Sequence, residues 1–536
     1  MRLLLLVCLL LFAGCRNQDP LFLDGESPSV AAYGDTFIEA SIGEPSNLLP
    51  VLASDSASSD ISALVYNGLI RYDKNLNLEG ELAESWEISE DNLTITFHLR
   101  KNVRWHDGAP FTSADVLYTY QLYTDPKTPT AYAESYRQVA QAEAPDPHVF
   151  KVTYDKPYAP ALASWGVSIL PRHLLAGTEI TKSSLSRKPI GTGPYRFVDW
   201  KPGESLVLEA NPDYFEGAPY IRRVLYRVIP DLSTQFLELQ SGGLDFMGLT
   251  PIQYQTQTDT LAFKRRFNKY RYLAFGYSYL GYNLKRPLFQ DKRVRQAIAH
   301  AIDKQELIDG VLLGLGQAAT GPYKPDTWVY NPQVKRYPHD PARARELLAE
   351  VGWRDSDGDG VLDREGRKFS FTIVTNQGND LRVKSAEIIQ RRLQEVGIEV
   401  KIRVIEWASF LKEFINPGNF DATILGWTGG PEPDQYNIWH SSKTDPRELN
   451  FIGFNNPEVD DLLERGRRTF DQAERKAIYD RFQEVLAEEQ PYTFLYVSDA
   501  LPVVARRFRG VEPSPAGIRH NFIEWYVPEG EQKYLK

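Results

Sequence analysis

The sequence predicts an α/β fold, with strands and helices alternating along most of its length. Three observations carry this. Leu93, Ile95, Phe97 and Leu99 alternate with Thr94, Thr96, His98 and Arg100, the period of two that marks a strand with one buried face. Between Phe369 and Val404 an alternating run, a run with Ala386, Ile389, Leu393 and Val396 on one helical face, and a second alternating run follow in order. That strand–helix–strand succession is the building unit of an α/β lobe. Finally, 536 residues with 42% hydrophobic and 25% charged side chains make ordinary globular composition, long enough for about two to four domains.

The elements follow along the chain. Leu3 to Ala13 is apolar but too short to span ~30 Å of hydrocarbon as a helix. It reads as the apolar segment of a signal peptide, residues 1–14. Phe12-Ala13-Gly14-Cys15 then reads as a lipobox, with the Cys15 thiol taking the diacylglycerol. The other cysteine, Cys8, lies in the segment to be removed, so the mature chain is expected to have no disulfide. Residues 15–32 lack periodicity and read as a lipidated tether.

After the strand at 93–99, His106-Asp107-Gly108 supplies a turn, and Thr112 with Asp115 forms a capping box opening a helix to about Leu122. Residues 205–209 and 221–229 are strand-like around the turn-rich Asn211 to Pro219, and the aromatic-rich Leu273 to Leu284 is strand-like too. Val294 to Val311 is predicted as one helix capped by Asp291. Asp380 to Val396 is helical and Gly397 stops it. A helical stretch from Glu458 to Glu489, broken near Gly466, ends before Pro491 and the strand at 492–497. No short-period repeat and no later membrane span is visible.

Several functions are disfavoured. The net charge of −10 and the lack of a basic stripe argue against a nucleic-acid partner. There is no HExxH, no GxSxG and no Walker loop, and the eight histidines are scattered. No enzyme and no cofactor is expected, with one open question. Asp355, Asp357, Asp359 and Asp363, with the Val361 carbonyl, follow the spacing of a calcium loop, and Gly360 stands where that loop turns. Its twelfth position is Gly366 where a bidentate Glu is needed, so the patch is either a structural calcium site or an acidic solvated turn balanced by Arg354, Arg364 and Arg367.

Four distant phrases carry a resemblance. They are Leu93 to Asp107 (LTITFHLRKNVRWHD), Gly191 to Tyr195 (GTGPY), Val294 to Lys304 (VRQAIAHAIDK) and Gly426 to His440 (GWTGGPEPDQYNIWH). With the lipoprotein-type start, they resemble the family-5 extracytoplasmic solute-binding proteins, the dipeptide- and oligopeptide-binding lipoproteins of ABC importers. The resemblance implies a bilobed clamp of the periplasmic-binding-protein type (class II) with an extra inserted domain. Lobe 1 would combine residues 33–60, 190–284 and 498–536, the inserted domain 61–189, and lobe 2 285–497. The chain would cross between lobes near Asn283-Leu284 and Tyr496-Val497. GTGPY would be a structural turn near a domain crossing.

The implied function is capture of a peptide between the lobes and its delivery to a permease and ATPase complex. The protein would be an extracytoplasmic monomer held to a membrane through its lipid alone. A non-peptide solute (an oligosaccharide, opine or metal chelate) in the same clamp is the alternative, and a secreted cell-wall hydrolase a remote one. The resemblance places Trp427, Thr428, Gly429, Gly430, Glu432 and Asp434 on a ligand-facing loop, Trp407 beside it, and Tyr279, Tyr282 and Asn283 on a strand that would bond an extended ligand. Relatives carry an Asp where Gly430 stands, and it pairs with the ligand's α-ammonium. Glu432 or Asp434 would have to take over that role.

Overall fold

The computed structural model describes residues 30–446 and 448–534. The signal peptide, Cys15 and the tether up to residue 29 lie outside the described residues. Among the described residues no helix is long and apolar enough to cross a membrane.

The first lobe starts with β1 (Gly34–Ser41) and α1 (Ser56–Val65), the latter capped by Asp55, whose carboxylate accepts from Ser58 N. The chain then builds β2 (Ala83–Ile88), β3 (Thr94–Leu99), α2 (Ser113–Thr124), β4 (Val139–Asp146) and β5 (Val149–Tyr154). These strands form an antiparallel sheet of order β2-β3-β5-β4. Ile95, Phe97 and Leu99 of β3 are buried, as their alternation requires, and Phe97 meets Trp165 edge-on. The capping box opens α2: the Asp115 carboxylate accepts from Thr112 N at 2.9 Å.

The chain returns as β6 (Tyr195–Lys201), β7 (Ser205–Ala210) and β8 (Ile221–Val228), completing a sheet of order β1-β8-β7-β6 in which β1 and β8 are parallel. Just before β6, the Gly191-Thr192-Gly193 phrase packs on the end of α1. Gly193 N donates to Val65 O at 2.8 Å, and a Cβ on either glycine would overlap that backbone. Only glycine allows two backbones this close, so the phrase welds α1 to the sheet.

The second lobe comprises β9 (Gly276–Tyr282), α3 (Lys292–Ala301), β10 (Ser370–Asn376), α4 (Asp380–Gln394), β11 (Glu399–Ile405), β12 (Ala422–Thr428), α5 (Pro457–Arg468), α6 (Gln472–Glu489) and β13 (Tyr492–Ala500). Its sheet runs β13-β9-β12-β10-β11. β10 is parallel to β11 and β12, and β9 is antiparallel to both its neighbours. A core lies on each face, one around Leu280, Ile373, Ile389 and Leu393, the other around Tyr279, Phe410, Trp439 and Phe494. The Val294 phrase closes this lobe: Arg295, 3% exposed, donates to the carbonyls of Phe289, Glu489 and Gln490, holding α3 against the end of α6.

Three expectations change. The first is the lobe boundary. β9 and β13 belong wholly to the second lobe, because the side chains on both faces of β9 are buried in its cores. The crossings therefore lie near 270–275 and 498–502, where Tyr272 pairs with Ala500, Leu273 with Asp499, and Tyr270 N donates to Pro502 O at 2.9 Å. Beyond them, residues 502–505 pair with 246–248 and 267–269 of the first lobe. The second is the helix at 294–311, which is two helices: Ile302 is extended, and Asp303 caps a separate turn from Lys304 to Gly310. The third is the break between α5 and α6, which falls at Thr469–Asp471. Gly466 sits inside α5 because Tyr479 packs on it; a Cβ there would lie 3.0 Å from the ring.

Candidate ligand-binding site

Parallel strands end where their following loops meet, and the crevice at those ends is the natural place for a ligand in an α/β lobe. In the second lobe the parallel strands β10, β11 and β12 deliver Asn376, Glu406-Trp407 and Trp427 through Gly430 to one edge. In the first lobe the parallel pair β1 and β8 delivers Ser41 through Gly43 and Ile229-Pro230. The two edges face each other and touch. A Cβ on Gly43 would lie 3.0 Å from Trp407 Cδ1, and one on Gly378 would lie 3.1 Å from Ile42 Cβ and overlap the Pro230 carbonyl. The clamp is closed.

Trp427 and Trp407 are both half-buried at this edge. The Trp427 indole N–H donates to Tyr492 Oη at 3.3 Å, which fixes the ring, and Trp407 packs on Phe410 and on the Gly43 loop of the other lobe. Thr428, Gly429 and Gly430 are exposed, and Gly429 N donates to Phe275 O at 2.6 Å. A Cβ on Gly430 would meet open space. An outer recess of about 530 Å³ continues from this loop, lined by Tyr72, Phe275, Trp328, Glu432, Arg475 and Pro515 among others, and so by the inserted domain and both lobes.

Five expected ligand contacts are committed elsewhere. Tyr279 and Tyr282 are fully buried; Tyr279 stacks on Tyr492 at 3.8 Å, and Tyr282 Oη bonds Thr493 Oγ1 at 2.6 Å. Asn283 donates to the Gly418 and Phe420 carbonyls at 3.0 and 2.8 Å. β9 is a central strand with a core on each face, so its side chains have no route to a ligand. Glu432 is ion-paired with Arg475, and Asp434 accepts from Arg467 Nε and Nη2 at 3.0 and 2.8 Å. Neither carboxylate is free to hold an ammonium. Burial raises the Glu432 carboxyl above its usual range, and Arg475 opposes it.

A residue outside the expected set stands in the crevice instead. Arg382, in the first turn of α4, donates through Nη1 to Asn376 Oδ1 at 2.6 Å, and its Nη2 lies 3.3 Å from where a Cβ on Gly426 would be. Its guanidinium has no carboxylate partner among the described residues. Burial pulls its pKa down, with Tyr496 and Tyr279 opposing. A cation in the first turn of a helix also faces the positive end of the helix dipole. That unfavourable placement, Asn379-Asp380-Leu381-Arg382 directly after a strand, is the signal the sequence carried.

The model for bacterial extracellular solute-binding proteins, family 5 (middle region), matches residues 77–447. The chain belongs to this family. The oligopeptide-binding protein AppA of Bacillus subtilis (strain 168) is 35% identical over 509 residues, covering 92% of each chain. The solved structure of AppA from Bacillus subtilis in complex with a nonapeptide has a TM-score of 0.89 at 34% identity, covering 93% of this chain and 99% of that one. NikZ from Campylobacter jejuni, solved with Ni(L-His), has a TM-score of 0.84 at 28% identity, covering 92% and 99%.

In this family-5 protein the inserted domain also reaches the second lobe. Glu134 pairs with Lys443 at 3.2 Å, and Lys443 with Glu448 at 3.5 Å; the Lys443 and Glu134 side chains are 2% and 9% exposed. Arg467, held by Asp434, has its Nη1 3.9 Å from Glu134, and Ala159 N donates to the Arg467 carbonyl at 2.6 Å. These contacts form a latch across the closed clamp.

The loop at Gly378 yields a direct test of closure. It has a φ of 82° and faces the Pro230 carbonyl of the other lobe. Gly378→Ala adds left-handed strain of about 1–2 kcal/mol and a steric overlap that exists only when the lobes meet. Small-angle scattering should find the variant open with and without ligand. Ligand-dependent compaction equal to that of the wild type would contradict the closed geometry.

The acidic loop is exposed and held by its own hydrogen bonds and by Lys368. The Asp355, Asp357 and Asp359 carboxylates lie within 4.8 Å of one another, but Lys368 Nζ sits between Asp357 and Asp359 at 2.6 and 2.7 Å. Asp355 accepts from Gly358 N and Gly360 N, and Asp363 from Ser356. Val361 N donates to Asp359, and the loop leads into a two-stranded hairpin of 363–364 with 367–368. In this arrangement the Lys368 ammonium balances two of the clustered carboxylates.

Proposed function

We propose that the protein captures peptides in the interlobe crevice, closes on them and delivers them to the permease and ATPase complex of an ABC importer. The observation that carries this reading is the un-neutralised Arg382 guanidinium beside Trp427 at the strand ends of a closed clamp. A half-buried cation with no carboxylate partner is costly, and a ligand carboxylate would relieve it through a charged, bidentate hydrogen bond. The aromatic wall and the exposed Thr428–Gly430 backbone would hold a chain of varied sequence through ring faces and main-chain groups. The AppA relative, solved with a nonapeptide, supports a peptide as the solute.

In this reading Cys15 carries the lipid that holds the protein at the outer face of a membrane, and it works there as a monomer. Metabolic labelling with a radiolabelled fatty acid should mark the wild type and not Cys15→Ser. Ligand identity is tested by native mass spectrometry of the protein as purified. A ladder of adduct masses matching short peptides is the expected result. A chelate or sugar mass, with no peptide retained on addition, would keep the clamp and overturn the peptide assignment.

A further inference from the structure

We infer that the outer recess beyond Gly430 is a specificity subsite that takes an aromatic side chain of the ligand, about the fourth residue from its carboxyl end. This assignment rests on the peptide reading above. The recess and the crevice are joined. A narrow cleft of about 30 Å³ is lined by Gly429 and Gly430 and shares Phe275, Lys324 and Pro431 with the recess of about 530 Å³. Nothing blocks the way at Gly430, where a Cβ would meet open space. Arg382 Nη2 lies 3.3 Å from where a Cβ on Gly426 would be, so a ligand with its carboxylate on Arg382 runs outward past Trp427. The chain from Gly426 to Gly430 spans at most about 14 Å when extended, and a similar length of ligand reaches the cleft.

The lining of the recess selects an aromatic ring. Tyr72, Phe275, Trp328 and Phe470 form much of its wall. Its charges already have partners. Glu432 is paired with Arg475, and Lys324 with Asp326 at 3.1 Å, the Lys324 ammonium also lying 4.4 Å from the centre of the Phe275 ring. A charged ligand side chain would lose water there and find no free counter-charge, whereas a ring gains apolar burial and ring contacts. Phe470, in the break between α5 and α6, is 49% exposed, a large aromatic side chain that the fold itself leaves partly uncovered at the recess. A cavity of about 150 Å³ holds a benzene ring, so the volume accommodates any aromatic side chain together with its main chain. The inserted domain and both lobes contribute to the wall, so the recess is complete only in the closed clamp. Filling it therefore favours closure.

The test incubates the purified protein with a random hexapeptide library carrying free carboxyl ends and sequences the retained peptides by mass spectrometry. Phe, Tyr and Trp should be enriched about tenfold over Ala at about the fourth residue from the carboxyl end. Phe470→Asp places a carboxylate in the recess and should lose that enrichment, while the total amount of retained peptide stays at the wild-type level. Phe470→Tyr should keep it. Equal use of all residues at that position by the wild type overturns the assignment. So does an aromatic enrichment confined to the carboxyl-terminal residue, or one that survives in Phe470→Asp. Loss of all peptides in Phe470→Asp, whatever their sequence, also overturns it, since the role would then be structural. Retention of no peptide by the wild type overturns the peptide reading itself, and the assignment with it.

Discussion

Replacing Lys443 by Met is expected to weaken ligand binding about a hundredfold. Lys443 and Glu134 approach at 3.2 Å with side chains 2% and 9% exposed, one on the second lobe and the other on the inserted domain. Removing one partner of a buried pair leaves the other charge buried and unpaired, typically a loss of about 3–5 kcal/mol. The lower end applies here, because Arg467 Nη1 remains 3.9 Å from Glu134 and Arg137 Nη1 stays 3.3 Å away. The loss falls on closing, because separating the lobes returns Glu134 to water. It therefore appears in the ligand dissociation constant at about tenfold per 1.4 kcal/mol, and only weakly in the melting temperature of the free protein. Calorimetric titration with the peptide best retained from a random library measures the first, and a thermal melt the second. Adding Glu134→Gln to the Met variant should recover much of the affinity. A Met variant that binds as the wild type does would mean that the latch contributes nothing to closure.

Arg382→Met should separate binding from stability even more sharply. Affinity is expected to fall by two to three orders of magnitude, the cost of losing a buried charged hydrogen bond of about 3–4 kcal/mol. The free protein should melt at the same temperature or higher. A desolvated guanidinium whose one side-chain partner is Asn376 is a burden on the fold, and an apolar side chain of similar length relieves it. Loss of both affinity and melting temperature would mark Arg382 as structural. Unchanged affinity would remove the basis for carboxylate recognition.

The expected helices and strands mostly appear because each depends on side chains within a few residues of one another. The β3 alternation, the α2 capping box and the Gly397 stop are local patterns, and local energetics decides them. The helix expected at 294–311 shows the limit. Asp303 is as good a cap as Asp291, and only the packed structure selects an extended Ile302 between two helices. Gly466 is a second case, a residue that reads as a helix break and serves as a contact surface for Tyr479.

The site was legible in outline and not in detail. The irregular Trp427–Asp434 loop was visible from its Gly and Pro content, and Trp407 from its phrase. Which of those residues face a ligand was not, because that depends on partners far along the chain. Glu432 and Asp434 are neutralised by Arg475 and Arg467, more than thirty residues away. Tyr282 and Asn283 are consumed by Thr493 and by the carbonyls of Gly418 and Phe420.

The sequence by itself determined the α/β class, the strand–helix–strand unit and the turns, and its four phrases identified the family. These rest on periodicity and backbone preference, which neighbouring residues specify. Only the tertiary structure decided where the lobes divide, which charges are paired and which remain free. Free charge is what is left after every long-range pairing has been made. Arg382 stands out in the folded chain because the acidic and basic groups around it have already found each other.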